Sequence, residues 1–495
     1  MNSGLGASVP SAVAVGLVVL ATVLIGAYGQ RLSRTTGDFL VASRMVGPTW
    51  NAAAISGEYL SAASFLGVAA LIVQFGADAL WYPIGFTAGY LALLLFVAAP
   101  LRRSGAYTVP DFAQIRWGSL RLRRLATVVV LVIVWLYLVP QLHGAGLLLQ
   151  YLVGVPRWVG VVGVALVVTA SVVAGGMRSI TFVQAFQYWL KLSAVAVPVV
   201  VMIALLRGDA FSALDTPWAA PGLGFGGGAA LPEVYSVVIA TFLGTMGLPH
   251  VLVRFYTNSG GGAARRTTVQ VITLLVVFYF CTVLLGLISR SAGADPAGGD
   301  LVILGVPARA LDGSAATAGT VLAAMIAAGA VAAFLSASSG LLVAAAGVIS
   351  TDVLPGRVRD FRVAAVLGVL VPVAVALGAG GTDIVRVVGM AFGLAASTFC
   401  PLLVLGIWWR GVTVAGAAAG MLCGGGLALG AVTAGIVLGD RAGRWSWLLE
   451  QPAVISVPVA FAVMIGVSLA TRRTVRPEVD AVLARLHLPG TLHHR

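Results

Sequence analysis

The sequence predicts an all-α integral membrane protein of about thirteen transmembrane helices, and three observations carry that prediction. Of 495 residues, 59% are hydrophobic and only 9% charged, with a mean hydropathy of +1.01; ordinary soluble domains carry about 25% charged residues. The apolar residues fall in uncharged runs long enough for lipid, where a spanning helix needs roughly 20 of them. Two of these runs, five apart in order, are interrupted by Gly, Ser and Pro. That pattern fits a transporter of two inverted five-helix repeats, whose broken helices meet near the membrane midplane.

The thirteen runs lie at 10–29, 50–75, 79–99, 124–152, 158–175, 183–206, 232–253, 267–289, 315–348, 362–380, 384–408, 412–437 and 452–471. The first has no charge before Arg31, so it lacks the basic start of a signal peptide and reads as a retained helix. The second is interrupted at Ser56-Gly57-Glu58-Tyr59-Leu60-Ser61 and the seventh at Gly244-Thr245-Met246-Gly247-Leu248-Pro249-His250. The ninth is long enough to be tilted or broken and contains Ser336-Ala337-Ser338-Ser339-Gly340. In the twelfth, Gly416, Gly420 and Gly424 at four-residue spacing form a helix-packing face. Beyond the last run, Val479, Val482, Leu483 and Leu486 follow i, i+3, i+4, i+7 spacing. They predict a short amphipathic helix on the inner membrane face.

The net charge of +13 and pI near 10.4 suggest nucleic-acid binding until the charges are placed. With the N-terminus outside, 22 Arg residues fall on the cytoplasmic side and seven on the other, giving +16 inside against −3 outside. That is the positive-inside bias, with the C-terminus in the cytoplasm. The basicity is topology, and no nucleic-acid partner is expected.

Other chemistries are excluded more directly. Of 30 basic residues only Lys191 is a lysine; Leu192 follows it and no Gly precedes it, so there is no Walker A motif and no ATP hydrolysis by a P-loop. Gly222, Gly224 and Gly227 match G-x-G-x-x-G, but in a Pro/Gly-rich loop with no strand before it. Cys281, Cys400 and Cys423 lie in apolar runs without metal-ligand spacing. His143, His250, His487, His493 and His494 have no acid or thiol partner at such spacing. Neither an enzyme, a cofactor nor a bound metal other than a transported alkali cation is expected.

Within lipid an ionisable residue costs roughly 2.5–3.5 kcal/mol at a helix centre, so the exceptions mark function. Glu58 is the chief one, an ion-coupling candidate beside the free carbonyls of a broken helix; its bland alternative is a hydrogen-bonded structural carboxyl. The serines of the ninth run offer oxygen to a small cation, or else pack against a neighbouring helix. Lys191 lies nearer the cytoplasmic end of its run and is expected to snorkel.

AISGEYLSAASFLG (54–67), preceded by GDFLVASRMVGP (37–48), resembles the sodium/solute symporter family, and within it the bacterial cation/acetate symporters. The likeness continues in YLVPQLHGAG (137–146), GGMRSITFVQ (175–184), GTMGLPHVLVRFYT (244–257) and GLAASTFCPLLVL (393–405). It implies the LeuT-type fold, with spans 2–6 and 7–11 as inverted repeats. The chain then divides into a first helix and loop (1–36), a symporter core (37–408), two accessory helices (409–471) and a cytoplasmic tail (472–495).

The resemblance also implies a sodium ion held by the carbonyls of Gly57, Leu60 and Ala333 and by two adjacent hydroxyls, here Ser336 and Ala337. The second hydroxyl is missing. Ser339 or Ser338 is left to substitute, each displaced by about 100° or more around the helix, and with Glu58 nearby a proton is the alternative ion. Tyr59, Ser61, Gln141 and Thr245 would line the substrate cavity, with a helix N-terminus holding a carboxylate. The function implied is cation-coupled import of a short-chain monocarboxylate across a bacterial inner membrane, or of another small solute such as an amino acid on the same fold.

Overall fold

The computed structural model describes residues 9–30, 42, 46–206, 210, 230–311, 313–354, 358–378, 384–438, 441, 443, 445–475 and 477–488. The glycine motif at 222–227, the loop arginines Arg31, Arg34 and Arg44, and His493 and His494 lie outside them. Among the described residues there are no strands, only an isolated parallel bridge between Val46 and Asn258.

The helices in chain order are α1 (Val9–Gln30), α2 (Pro48–Tyr59), α3 (Val68–Phe75), α4 (Trp81–Ala92), α5 (Ala98–Arg103), α6 (Val109–Trp117) and α7 (Leu120–Val153). Then come α8 (Arg157–Leu206), α9 (Ala230–Gly247), α10 (Pro249–Phe255), α11 (Gly261–Ser291), α12 (Val306–Ala310) and α13 (Ala316–Val348). The last are α14 (Val358–Gly378), α15 (Ile384–Trp408), α16 (Val414–Leu438), α17 (Ser446–Glu450), α18 (Ala453–Ala470) and α19 (Val479–His487).

Among the described residues ten helical stretches are long and apolar enough to cross a membrane, or eleven if the bent pair α9–α10 is one span. Two of the ten are composite. Ala63–Arg103 joins the second half of the broken second run to the whole third run, reversing at Gly76, where φ is 63° and ψ −132°. The 50-residue α8 joins the fifth and sixth runs through Gly176, whose φ of 56° and ψ of −152° are open to glycine at no steric cost.

α13 and α15 are the central elements; every residue of α13 from Ile326 to Val348 is buried. A span buried over its whole circumference presents small residues to its neighbours rather than lipid-facing bulk, and α13 is largely Ala, Gly and Ser there. The Gly416, Gly420 and Gly424 stripe packs against Ser468, Met464 and Ala460 of α18, with Gly424 also meeting α15 at Ser397.

The loops assigned to one side by charge do converge at one end of the bundle. Arg102 donates to the carbonyls of Asn258 and Ser259, and Arg123 bridges Asp111 and Asp352 at 2.8 and 2.5 Å. Buried Arg116 donates to the carbonyls of Gly406 and Trp409 that terminate α15, cations at a helix C-terminus being favoured. The amphipathic tail helix α19 docks here too, not on a membrane face. Arg103 donates to its terminal carbonyls at Leu486 and His487 (3.2 and 3.0 Å), while Leu486 and Val479 are buried. Val482 and Leu483 pack against the core as well, so protein covers the apolar stripe.

The tightest helix contact near the first interruption is α2 on α8. A Cβ added at Gly57 would lie 2.1 Å from the Gln184 carbonyl oxygen and 3.4 Å from Tyr188 Cβ. Backbone cannot yield there as a side chain can. Gly57→Ala is therefore expected to cost about 1–3 kcal/mol, the usual range for overpacking, read as a lowered unfolding temperature of the purified protein in detergent.

Candidate functional site

The site is built around the end of α2. Leu60 has φ −72° and ψ 76°, an inverse γ-turn geometry, and accordingly Ser61 N–H turns back to the Tyr59 carbonyl at 2.8 Å. Two helical hydrogen bonds are thereby lost. Ser61 N–H would have served the Gly57 carbonyl. Ala62 N–H would have served that of Glu58 and instead donates to Gln141 Oε1 at 3.4 Å. The helix resumes through a π-turn, Ala63–Gly67, into α3. In lipid such freed backbone groups are tolerated only where protein satisfies them.

Lys191 satisfies the carbonyl of Gly57, and that of Leu60 with it. It is fully buried and does not snorkel: Nζ donates to the Gly57 carbonyl, the Leu60 carbonyl (2.7 Å) and Ser336 Oγ (2.8 Å). An ammonium has three donors, and all three are used. Ser336 Oγ in turn donates to the Ala333 carbonyl at 3.2 Å. Four of the five residues nominated as cation ligands are thus assembled around one lysine head group. Ser339 is turned away, donating to Leu335 in its own helix at 2.7 Å, and Ser338 Oγ has no partner among the described residues. The oxygens do not fit a sodium ion as they stand, since three of them already accept from Lys191 and position 337 carries no hydroxyl.

Glu58 is not a lone charge at depth. Arg254, one of the 22 arginines that the charge pattern assigns to the cytoplasmic side, is buried on α10 and pairs with it, Nε to Oε2 at 2.6 Å, the two side chains 1% and 2% exposed. Arg254 also donates to Thr181 Oγ1 (2.8 Å) and Gln184 Oε1, and Gln184 Nε2 donates to the Ser336 carbonyl at 2.9 Å. Gly340 makes the room: a Cβ there would lie 2.0 Å from Glu58 Oε1. Thr181, Gln184, Tyr188 and Lys191 follow helical 3–4–3 spacing, one polar stripe of α8 facing α2 and α10. That stripe was the readable signal for Gln184 and Thr181; Arg254 is hidden because the seventh run continues past its break.

The substrate-lining candidates surround the break from the other side. Tyr59 Oη shares a 2.8 Å hydrogen bond with Thr245 Oγ1 and donates to the Phe86 carbonyl at 3.2 Å. Ser61 Oγ accepts from Tyr137 Oη at 3.1 Å. Phe86, Tyr90 and Phe392 surround the Tyr59 ring edge-on at 4.8–6.2 Å, and Tyr137 lies 5.3 Å from His250. Within this aromatic shell Gln141 Nε2, Tyr90 Oη and His250 Nδ1 are buried without a hydrogen-bond partner among the described residues. The four candidates therefore share one region, with Phe86, Tyr90, Tyr137 and Phe392 added by the structure.

A family model described as the sodium:solute symporter family matches residues 39–424. An uncharacterized symporter of Bacillus subtilis (strain 168), YwcA, is 31% identical over 495 residues, covering 94% of this chain and 95% of that protein. Among solved structures, a Na+-coupled sialic acid symporter in a substrate-bound outward-open state superposes with a TM-score of 0.75 at 15% identity, covering 94% of this chain and 98% of that one. MhsT in complex with L-phenylalanine gives 0.56 at 17% identity, covering 84% and 97%. At these identities the structural likeness establishes the LeuT-type helical fold alone.

Removing Arg254 would leave a buried carboxylate unpaired, which typically costs about 3–5 kcal/mol. Arg254→Met is expected to unfold the protein at markedly lower temperature, and Glu58→Gln added to it to restore part of the loss. A double-mutant cycle of melting temperatures checks this; additive effects would show that the pair is not coupled.

Proposed function

We propose, on the premise that this chain belongs to the sodium:solute symporter family, that it imports a short-chain monocarboxylate such as acetate, propionate or pyruvate. Membership makes it a multi-pass membrane protein and a cation-coupled symporter. The substrate and the sidedness are our reading. The excess of arginine at one end favours an inner-membrane orientation with the N-terminus outside and the C-terminus in the cytoplasm.

One observation carries the substrate class. Gln141 accepts from Ala62 N–H at the start of the resumed helix, while its own Nε2 is a buried donor without a partner among the described residues. A carboxylate oxygen placed there takes the Nε2 donor, with the positive end of the helix behind it. Tyr90 Oη supplies a second buried donor. Charge agrees with this placement: Glu58, Arg254 and Lys191 sum formally to +1, which a monoanion neutralises. The aromatic shell of Tyr59, Phe86 and Phe392 suits a small apolar tail. An amino acid such as proline would need an acceptor for its ammonium in addition to donors for its carboxylate.

Sodium is the coupling ion that family membership points to, and a proton is the second reading, favoured by the hold of Lys191 on three of the carried-over ligands. Glu58 enters coupling as a pair with Arg254. That pair ties α2 to α10, the two interrupted spans, so a motion of either must carry the pair along or break it.

One monovalent anion with one monovalent cation moves no net charge, although each net charge is worth about 2.3 kcal/mol per 100 mV. In proteoliposomes, labelled acetate is expected to accumulate under a cation gradient and to be competed by propionate and pyruvate but not by proline. An imposed potential alone should drive no accumulation; strong uptake under potential would mean more than one cation per anion. Gln141→Ala should raise the half-saturating acetate concentration roughly ten- to hundredfold, as for loss of a hydrogen bond to a charged group. An unchanged value would remove Gln141 from the site.

A further inference from the structure

The geometry points to a cation site in which the chain supplies its own cation: the ammonium of Lys191 stands where the family's sodium ion would bind, and that position takes no sodium. The inference rests on the symporter reading above but concerns ion selectivity, and three observations support it.

The first is the identity of the acceptors. Nζ donates to Gly57, Leu60 and Ser336, the oxygens that an unwound helix and its facing helix offer a small hard cation. No other described group is recorded as a partner of this nitrogen, so its three protons match three oxygens one to one. The second is the complementary loss on α13. Ala337 lacks the hydroxyl that would complete a sodium shell, and neither Ser338 nor Ser339 replaces it, since Ser339 donates within its own helix. A cation stands at one position, and a hydroxyl ligand for one is absent from another. The third is electrostatic. Glu58, on the same unwound helix, is already held by Arg254 in a 2.6 Å pair. A sodium ion beside the ammonium would place two like charges in one shell of neutral oxygens, in an interior that screens them poorly.

The tethered ammonium also does mechanical work for which a free ion is usually needed. It joins the γ-turn of α2 and the Ala333–Ser336 turn of α13 to α8, so three helices are held at one point without an exchangeable ligand. The selectivity residue is therefore Lys191, and removing it should open the position to an alkali cation. Lys191→Ala strands the carbonyls of Gly57 and Leu60 and the hydroxyl of Ser336; Ala337→Ser restores the missing hydroxyl.

The test is equilibrium binding of labelled sodium to the full-length protein, purified in detergent, with Ser336→Ala as the control that identifies the site. Wild type is expected to show no sodium binding sensitive to Ser336→Ala. The Lys191→Ala, Ala337→Ser variant is expected to gain such binding, roughly tenfold or more in bound sodium at a fixed concentration. Saturable sodium binding by wild type that Ser336→Ala abolishes would overturn the inference, as would a folded double variant that gains none. Should the double variant not fold, the wild-type measurement still decides. Acetate uptake by wild type, measured with sodium or with choline as the external cation, gives an independent arm. Equal accumulation in both supports a sodium-free site, and accumulation only with sodium, lost in Ser336→Ala, overturns it. A protein that accumulates no acetate under any gradient refutes the monocarboxylate reading, and the sodium-binding comparison then judges the cation site by itself.

Discussion

The unwound turn at Leu60 and Ser61 sets the terms for everything around it. A helix interrupted inside the hydrocarbon region exposes carbonyls that lipid cannot satisfy, and the protein must bring partners from elsewhere. It brings Lys191 from α8 for Gly57 and Leu60, and Gln141 from α7 for Ala62 N–H. Each partner imposes a packing requirement in turn. Lys191 reaches its acceptors only if α8 lies backbone to backbone on α2, which is why residue 57 has no side chain. The stripe that follows from this approach, Thr181, Gln184 and Lys191, then receives the second interrupted span through Arg254. A break made for transport is thus also the reason that α2, α8, α10 and α13 meet where they do.

The buried charges follow the same logic. A Glu58–Arg254 pair at 2.6 Å with both side chains nearly inaccessible is weak evidence for stability, because desolvation offsets much of its attraction. Its value lies in orientation. Arg254 spends its remaining donors on α8, and Gln184 passes the connection to the Ser336 carbonyl. The chain of contacts runs without interruption from the second broken span to the oxygens around Lys191. Arg254 and Gln184 thus link α10 to the turn of α13 that faces Lys191.

Much of this was legible in the sequence. Uncharged runs of lipid-spanning length, the two interruptions and the convergence of arginine-bearing loops at one end all follow from composition and spacing, because lipid penalises exceptions so heavily. Gly57, Leu60, Ala333 and Ser336 were reachable by resemblance, and Glu58 by its rarity at depth. Lys191 was misread because a lysine near the end of an apolar run has two outcomes of similar sequence appearance. It snorkels when its helix face meets lipid, and it turns inward when that face meets a broken neighbour. Only the relative rotation of α8 and α2 decides between them. Arg254 was missed for the same reason: α10 is a short continuation after a 42° bend, and a hydropathy window cannot place the residues beyond a bend inside the protein. The tail helix α19 was recognised by its stripe but not by its partner, since periodicity gives a buried face without saying what buries it.

A fixed ammonium separates two tasks that one mobile ion performs together in a sodium-coupled scheme. The ion neutralises the site so that an anion can enter a low-dielectric interior, and it carries charge across so that the anion does not move alone. On the proposed monocarboxylate reading, Lys191 would do the first task permanently: with the Glu58–Arg254 pair self-compensated, its formal charge is the one left over for a monoanion. It cannot do the second, because it stays with α8. An anion imported alone would move against an inside-negative potential at about 2.3 kcal/mol per 100 mV. A cation-coupled symporter that keeps its site cation tethered must therefore bring the mobile one by another route. For the proposed carboxylate, its own neighbourhood is the place that route would have to reach, since only there would the travelling charge cancel the anion's during the crossing.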